Sequence, residues 1–401
     1  MRDRYSSLTE RIGGRGANAW EIHRLALEAR ARGEDAVVLS VGDPEFDTPA
    51  PVVEAAKRAL DSGDTHYTAM RGREDLRALI AGRHRLRTGQ AVDADNVVVV
   101  PGAQAGLFCA ALTLAEAGDE IVTTDPVYTT YEATIRAGGA RVIAVPLDRE
   151  RGFDLDPERL ERAMSARTRA IFLANPNNPT GTVLSVAAMD AVATLAERHD
   201  AWIVADEVYA DFVFDAPFRH FAAIESVRDR LVTVSSLSKS HAMTGWRLGW
   251  MVVPADMADH LENLLLAMLY GMPGFVQAAA VAALGGCDAD VAAMREAYRR
   301  RRDLALELLG ASDLIACVPP AAGMFLMIDV TATGLDGGEF ARRLFDEQGV
   351  SVLDAGAFGD GGRGYVRISL APSDERLAEG CRRIVAFASV AGAARAAAGR
   401  A

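Results

Sequence analysis

Short, continuous apolar runs are the most regular pattern in the first two thirds of the chain. They are rich in valine and isoleucine and are separated by longer stretches with helical spacing. The runs lie at residues 96–100, 120–124, 168–174, 201–205 and 231–237. Runs of this kind predict strands that are buried on both faces. Because helical stretches alternate with them, the chain is predicted to have an α/β fold with a large, mostly parallel sheet flanked by helices.

Helical spacing is strongest near the start and in the last third of the chain. Apolar residues recur every three to four positions from Ala17 to Arg32, and a short strand is predicted at 36–40. After Pro254 the pattern predicts helices, including a long arginine-rich helix at 294–309. Later apolar runs predict the strands of a smaller α+β domain, at residues 323–330, 349–359 and 364–371.

The length of 401 residues is more than one ordinary hydrophobic core accommodates, so two domains are expected. We predict an N-terminal segment at 1–40 that packs with the small domain, a large domain at 41–285, and a small C-terminal domain at 286–401. Half of the residues are apolar and about a quarter are charged, which is ordinary for a soluble globular enzyme.

Charge and composition argue against several kinds of partner. The net charge of −12 argues against nucleic acid, because a phosphate backbone requires a basic surface. The most apolar run, 264–269, is soon interrupted by Gly271 and is too short to cross a bilayer. The four cysteines lack the paired spacing of a disulfide framework or a zinc site, and the charged N-terminus lacks the apolar core of a secretory signal. We therefore expect a cytoplasmic protein with no bound metal and no membrane partner.

Lysine is almost absent from this chain, since only Lys57 and Lys239 occur among 43 basic residues. Lys57 lies in a polar-faced helical stretch, as expected of a solvated surface residue. Lys239 instead follows the buried run at 231–237 and precedes Gly245, so it lies where a strand ends in a loop. Only a primary amine can form a Schiff base with an aldehyde, which arginine cannot replace. Lys239 is therefore the first candidate for a catalytic group.

Two other motifs in the sequence lack the elements that their families require. Ser236 and Lys239 form Ser-x-x-Lys, which is also the nucleophile motif of penicillin-binding enzymes. That family needs Ser-Asp-Asn and Lys-Thr-Gly elements as well, and the sequence contains neither. Residues 359–364, GDGGRG, satisfy Gly-x-Gly-x-x-Gly, but a strand rather than a helix is predicted after them. We therefore interpret 359–364 as a loop and not as a dinucleotide-binding turn.

Polar residues at the ends of the predicted strands indicate one shared pocket. Asn178, Asp206 and Lys239 each follow a buried run, and the carboxyl ends of parallel strands lie at one edge of a sheet. The strand at 96–100 leads through a glycine turn into a helix that begins near Ala103 and Gln104. Free backbone N–H groups converge at such a helix start and bind anions.

These elements, from about residue 40 to about residue 370, resemble the class I and II aminotransferases, which are fold-type I enzymes dependent on pyridoxal 5'-phosphate (PLP). The stretch SSLSKSHAMTGWRLG carries the most specific part of the resemblance. It implies that Lys239 attaches the cofactor covalently and that Ser236 and Arg247 bind its phosphate. The stretch NPNNPTG implies that Asn178 donates to the 3-oxygen of the cofactor, and DEVY implies that Asp206 pairs with the ring nitrogen.

The resemblance implies further cofactor contacts. Tyr209 joins Asn178 at the 3-oxygen, Tyr128 stacks on the pyridine face, and Ala103 and Gln104 contact the phosphate. For the substrate, it implies that Arg367 binds the α-carboxylate through a bidentate fork. Two other contacts complete this set: the backbone of Gly42 and the side chain of Asn178.

Tyr67, in HYTAMRG, matches the tyrosine that reaches the phosphate of the neighbouring subunit in this family, so the resemblance implies a homodimer. The implied reaction is ping-pong transamination between an amino acid and a 2-oxo acid. A lyase or oxidase on the same fold stays open, and would differ by releasing ammonia or peroxide without needing a second 2-oxo acid. A PLP-binding regulatory domain is the non-enzymatic alternative, and would require a DNA-binding module ahead of it.

The stretches AWEIH, SLSKSHAMTGWR and HLENLLLAMLYG resemble the arginine–pyruvate branch of the family. This resemblance implies L-arginine as the amino donor and pyruvate as the acceptor. A guanidinium in a closed pocket needs an acidic partner, and Glu21 is the hypothesised one, because a small residue is usual at that place in the family. Aspartate, aromatic or branched-chain donors, or an arginine-derived intermediate, stay open as alternatives.

Overall fold

The structure, a computed structural model, describes residues 4–13 and 20–398. The strands in these residues are β1 (Val37–Val38), β2 (Val97–Val100), β3 (Glu120–Asp125), β4 (Arg141–Pro146), β5 (Thr168–Ala174), β6 (Trp202–Asp206), β7 (Leu231–Ser236), β8 (Gly249–Val252), β9 (Ala316–Val318), β10 (Phe325–Asp329), β11 (Val350–Ser351), β12 (Leu353–Asp354) and β13 (Tyr365–Ser369). The helices are α1 (Ser7–Arg11), α2 (Glu21–Ala31), α3 (Ala50–Asp61), α4 (Glu74–Thr88), α5 (Ala103–Leu114), α6 (Tyr131–Ala137), α7 (Pro157–Ala163), α8 (Val186–Arg198), α9 (Ala255–Met268), α10 (Gly274–Gly286), α11 (Asp288–Leu309), α12 (Gly337–Gln348) and α13 (Asp374–Ala398).

The largest element is a seven-stranded sheet with the order β2-β8-β7-β6-β5-β3-β4. All neighbouring strands are parallel except β8, which pairs antiparallel with both β2 and β7. Its central strands are buried on both faces, which explains why their residues are continuously apolar. The α/β fold with a mostly parallel sheet, as predicted, is confirmed. In the register, Asp206 lies beside Ala174 and Val234, so the ends of β5, β6 and β7 meet at one edge.

The C-terminal part of the chain forms a second sheet, which is antiparallel and has the order β12-β13-β10-β9. Helices α11, α12 and α13 pack near it around one apolar core that includes Phe340, Phe387 and Ile328. Strand β1 pairs in parallel with β11, which joins the N-terminal segment to this part of the chain. The domain boundaries at residues 40 and 285 stay a prediction.

Several details of the predicted elements are wrong. The helix predicted at 17–32 is confirmed from Glu21 to Ala31, Trp20 lies just outside it, and positions 17–19 lie outside the described residues. The run 349–359 is not one strand: β11 pairs with β1, β12 pairs with β13, and short helical turns follow. Strands β4 and β8 were not predicted. Strand β4 is largely exposed, and β8 begins at the last residue of the stretch SSLSKSHAMTGWRLG that contains Lys239.

Among the described residues, no single helix is long and apolar enough to span a membrane. Helices α10 and α11 have the necessary length and apolarity only when taken together, and they are bent by 77° at their junction.

Candidate active site

A cavity of about 240 Å³ opens at the carboxyl edge of the large sheet, where β5, β6 and β7 end. It contains most of the residues that the sequence analysis singled out. Those on its wall are Gly42, Ala103, Gln104, Tyr128, Asn178, Asp206, Tyr209, Ser236, Lys239, Arg247 and Arg367. The fold thus brings together side chains that lie more than three hundred residues apart along the sequence.

Lys239 lies in the loop after β7, and its Nζ donates a 2.7 Å hydrogen bond to the carbonyl oxygen of Gly42. Burial lowers the pKa of the amine to about 8, against the opposing effect of the nearby Asp43 carboxylate. The positive charges of Arg367 and Arg247 lower this pKa further. About a tenth of the amine is therefore neutral and nucleophilic at pH 7, far more than for an ordinary lysine with a pKa of about 10.4.

Gly42 must be a glycine for a steric reason. A Cβ atom added there would lie 2.4 Å from Cε1 of Phe325, which also lines the cavity. Without a side chain, the backbone of residue 42 packs against the Phe325 ring while its carbonyl receives the lysine amine.

Asp206 ends β6 and presents its carboxylate to the cavity. Oδ2 accepts a 3.0 Å hydrogen bond from the hydroxyl of Tyr131, and Oδ1 accepts one from the backbone N–H of Val208. Burial raises the pKa of Asp206 to about 6, although both hydrogen bonds favour the ionised form. The group is thus mostly a carboxylate at neutral pH and can hold a positively charged N–H. Tyr131, which orients it, was not predicted.

One end of the cavity is built to bind an anion. The N–H groups of Ala103 and Gln104 belong to the first turn of α5, where a helix leaves its amides without helical partners. The Ser236 side chain and the Arg247 guanidinium line the same cavity. Gly102 caps the helix with φ +83°, and a Cβ there would lie 2.4 Å from Nη2 of Arg247, so the arginine can lie against this turn.

Arg367 lies on β13, is almost fully buried, and faces the cavity. Nη1 donates to Oδ1 of Asn178 and Nη2 donates to the carbonyl oxygen of Ser40, both at 2.9 Å. The guanidinium lies 4.1 Å from the ring centre of Phe325 and 4.8 Å from that of Phe358. Burial lowers its pKa to about 10, and within the described residues no carboxylate forms an ion pair with it. An aromatic-clamped guanidinium in such a setting suits an anionic ligand.

Asn178, Tyr209 and Tyr128 line the same cavity as Arg367 and Asp206. Burial raises the pKa of Tyr209 and of Tyr128, so both hydroxyls keep their protons at neutral pH. The Tyr209 hydroxyl is therefore a donor for an oxygen atom of a bound ligand.

The hypothesis that Glu21 faces the substrate is not supported, because the structure places it outside the cavity. Glu21 is the first residue of α2, and its side chain is 53% exposed. Its Oε1 accepts a 2.7 Å hydrogen bond from Nη2 of Arg342 on α12, so the carboxylate is already paired at the surface. The preceding residue, Trp20, lines the cavity instead.

Tyr67 also lies outside the cavity of its own chain. It is 83% exposed, and its ring centre is 5.0 Å from that of Tyr270. Sequence reasoning missed other residues on the cavity wall, namely Trp20, Ser238, Thr244 and Phe325. Ser238 and Thr244 lie within the stretch SSLSKSHAMTGWRLG and could have been predicted as site residues for that reason. Nothing in the local sequence pattern identifies Phe325 as a site residue.

The donors and acceptors in the cavity fit pyridoxal phosphate. The helix start, Ser236 and Arg247 supply donors for a phosphate, and Asp206 can accept from a protonated ring nitrogen. Tyr209 can donate to the 3-oxygen, and the amine of Lys239 is available for the aldehyde. No group on this wall conflicts with the charge of the cofactor.

Comparison with known proteins gives the same assignment. The family model for aminotransferase class I and II matches residues 34–384. An arginine–pyruvate transaminase of Pseudomonas aeruginosa is 49% identical over 386 residues, which cover 96% of this chain and 98% of the relative. An aspartate aminotransferase of Pyrococcus horikoshii is 34% identical, with 90% and 93% covered. The structure of Thermus thermophilus aspartate aminotransferase with maleate superposes with a TM-score of 0.91 at 33% identity, covering 96% of this chain and 100% of the other. This chain therefore belongs to the class I and II aminotransferases and is a transaminase dependent on pyridoxal phosphate.

Proposed function

We propose that this enzyme moves the α-amino group of L-arginine to pyruvate, producing 5-guanidino-2-oxopentanoate and alanine. The observation that carries the proposal is the 49% identity, over nearly the whole of both chains, to a relative named arginine–pyruvate transaminase. Other relatives, at 34% identity, are named for aspartate. A role in arginine metabolism follows from the proposed donor.

Bound pyridoxal phosphate supplies the electron sink that stabilises a carbanion at the substrate Cα. In our proposal, Lys239 moves the proton. With the cofactor bound, the neutral Nζ atom would accept the Cα proton as a general base and would then act as the acid that gives the proton back. Its lowered pKa, about 8, suits both halves of this transfer, because the amine is neither permanently protonated nor too weak a base.

Arg367 and Asp206 would prepare the site for that transfer. The Arg367 guanidinium, held by Asn178 and Ser40, would bind the α-carboxylate and so aim the Cα–H bond at Lys239. Asp206 would keep a proton on the ring nitrogen of the cofactor, because a buried carboxylate stabilises a nearby positive charge. Tyr209 and Asn178 would donate to the 3-oxygen, while Tyr128 would cover one face of the ring.

The rate of cofactor attachment is expected to depend on pH, because the attacking amine must be neutral. Burial lowers the pKa of Lys239 to about 8, so its protonated fraction falls as the pH rises through that value. The rate constant for rebuilding holoenzyme from cofactor-free protein should rise with pH and level off above about 8. Stopped-flow absorbance at saturating pyridoxal phosphate measures it. A rate that still climbs at pH 10 would indicate an ordinary lysine and contradict the lowered pKa.

The donor is tested by mixing holoenzyme with single amino acids in the absence of any 2-oxo acid. The absorbance of the aldehyde form of the cofactor should fall as its aminated form accumulates, and L-arginine should drive this fastest. Pyruvate should then restore the original spectrum. The comparison set is lysine, ornithine, alanine, aspartate, leucine and phenylalanine.

Two outcomes would change the proposal. If arginine is inert while aspartate or another donor converts the cofactor, the enzyme stays a transaminase with a different substrate. If ammonia or peroxide is released with turnover and no 2-oxo acid is needed, a lyase or an oxidase on this fold replaces the transaminase.

We also propose that the enzyme is a homodimer in the cytoplasm. In support, Tyr67 and Tyr270 form an exposed aromatic pair, and Leu266 and Met268 are also about half exposed, which suggests an apolar surface that a second copy would cover. In such a dimer Tyr67 would reach the phosphate in the neighbouring site. A molecular mass in solution equal to that of a single chain would rule the dimer out.

A further inference from the structure

The proposed arginine donor raises a question of charge. Its guanidinium must enter a cavity whose wall carries the cationic groups of Lys239, Arg247 and Arg367. Among the described residues on that wall, the only carboxylate is Asp206, which is bonded to Tyr131 and Val208. Glu21 is paired elsewhere. A cationic side chain therefore needs another attractive group.

Trp20 is the aromatic residue that could supply this attraction. It lies immediately before α2, is partly buried, and lines the cavity. Its ring packs edge to face against that of His23, with the centres 5.8 Å apart and the planes at 78°. An indole is the strongest of the natural aromatic partners for a cation, because its ring faces carry a negative potential.

The position of Trp20 is tied to the arginine that would bind the α-carboxylate. His23 Nδ1 lies 2.9 Å from the hydroxyl of Ser40, and that hydroxyl lies 3.0 Å from the hydroxyl of Ser351. The carbonyl of the same Ser40 accepts the bond from Nη2 of Arg367. Ser40 therefore links His23, which packs against Trp20, to Arg367.

We propose that the Trp20 indole binds the guanidinium of the donor by a cation–π contact and so determines the preference for a cationic side chain. A neutral urea group of the same length has the same shape but lacks the charge that the ring attracts. Asp43 is the alternative source of attraction. Its charge raises the pKa of Lys239, and its Oδ1 accepts a bond from Thr244 on the cavity wall. The experiment must therefore separate Trp20 from Asp43.

The first measurement is equilibrium binding to the holoenzyme, by calorimetry, of 5-guanidinopentanoate and its neutral counterpart 5-ureidopentanoate. Neither has an α-amine, so neither reacts. The native enzyme should bind the guanidino compound roughly tenfold more tightly, which corresponds to about 1.4 kcal/mol. Trp20→Leu should abolish this preference and Trp20→Phe should retain part of it. Glu21→Ala, one position away and outside the cavity, is the matched control and should leave it unchanged.

The second measurement is kcat/KM of the amino-donor half-reaction for arginine and for citrulline. Trp20→Leu should lower the ratio of kcat/KM for arginine to kcat/KM for citrulline about tenfold. It should leave the reaction of alanine nearly unchanged, because alanine has no side chain to reach the indole. Retained alanine activity also shows that the variant folds and that Arg367 still works.

The inference is overturned if Trp20→Leu keeps the native preference, or if Asp43→Asn removes the preference and Trp20→Leu does not. It is overturned as well if the native enzyme binds both compounds equally. These outcomes leave the proposed function standing as long as native enzyme converts arginine with pyruvate as acceptor. If arginine is inert while alanine reacts, the proposed donor fails instead.

Discussion

Replacing Lys239 with arginine is expected to abolish transamination, with the half-reaction slowed by about 10⁴-fold or more. Arginine keeps the positive charge but stays protonated, so it can neither attach the cofactor nor accept the Cα proton. The substitution also removes the group that donates to the Gly42 carbonyl. Single-turnover absorbance with L-arginine measures the rate, and borohydride reduction followed by peptide mass analysis shows whether the cofactor is attached.

The chain offers a matched control, since Lys57 is its only other lysine. Lys57 is exposed on α3 and forms a surface ion pair with Glu54 at 2.7 Å. Lys57→Arg should leave the rate within about twofold of native, because surface pairs of this kind contribute little. If Lys239→Arg keeps more than a hundredth of the native rate, or if the reduced cofactor is found on Lys57, the assignment of Lys239 is wrong.

Replacing Arg367 with lysine is expected to raise KM for the amino donor and for the 2-oxo acid acceptor alike, by about 100-fold. This corresponds to roughly 2–3 kcal/mol, the range for losing a charged, bidentate hydrogen bond. Lysine keeps the charge but cannot bind Asn178, Ser40 and a carboxylate at once in the plane set by Phe325 and Phe358. Both KM values should rise because the two substrates share the carboxylate, and kcat should fall as well, because Arg367 would also aim the Cα–H bond at Lys239. Steady-state kinetics over a grid of both substrates measures these changes.

Arg162→Lys is the control for this substitution. Arg162 is exposed on α7 and pairs only loosely with Glu158, at 3.5 Å. Its replacement should leave both KM values unchanged. A selective loss for the donor alone in Arg367→Lys would mean that Arg367 recognises something other than the common carboxylate.

The sheet and most of the cavity wall could be predicted because they depend on strong local signals. Continuous apolar runs identify buried parallel strands, and the ends of such strands must meet at one edge. Asn178, Asp206 and Lys239 are therefore predicted to lie together, and all three line one cavity in the structure. Strand β8 was missed because it is short and begins at Gly249, the last residue of the stretch SSLSKSHAMTGWRLG and only two residues after Arg247.

Other residues at the site could not be predicted, because they contact its side chains only in the folded protein and no spacing in the sequence marks them. Tyr131 orients Asp206 of β6 from helix α6, and Phe358 packs against Arg367 from a short helical turn, so neither has a signal near the residue that it contacts. The error at Glu21 has a similar cause. Glu21 was predicted to face the substrate because a carboxylate is a common partner of a guanidinium. At the start of α2, however, the Glu21 carboxylate pairs with Arg342, and Trp20 lines the cavity.

The short stretch from Ser40 to Gly42 contacts both the lysine amine and the arginine that would bind the substrate carboxylate. The carbonyl of Gly42 receives the amine of Lys239, and the carbonyl of Ser40 receives the guanidinium of Arg367. Because the two carbonyls are only two residues apart, we expect a ligand that shifts one of them to shift the other, which would link carboxylate binding to the release of the lysine amine. By reciprocity, whatever frees the amine also changes the affinity for the carboxylate by the same factor.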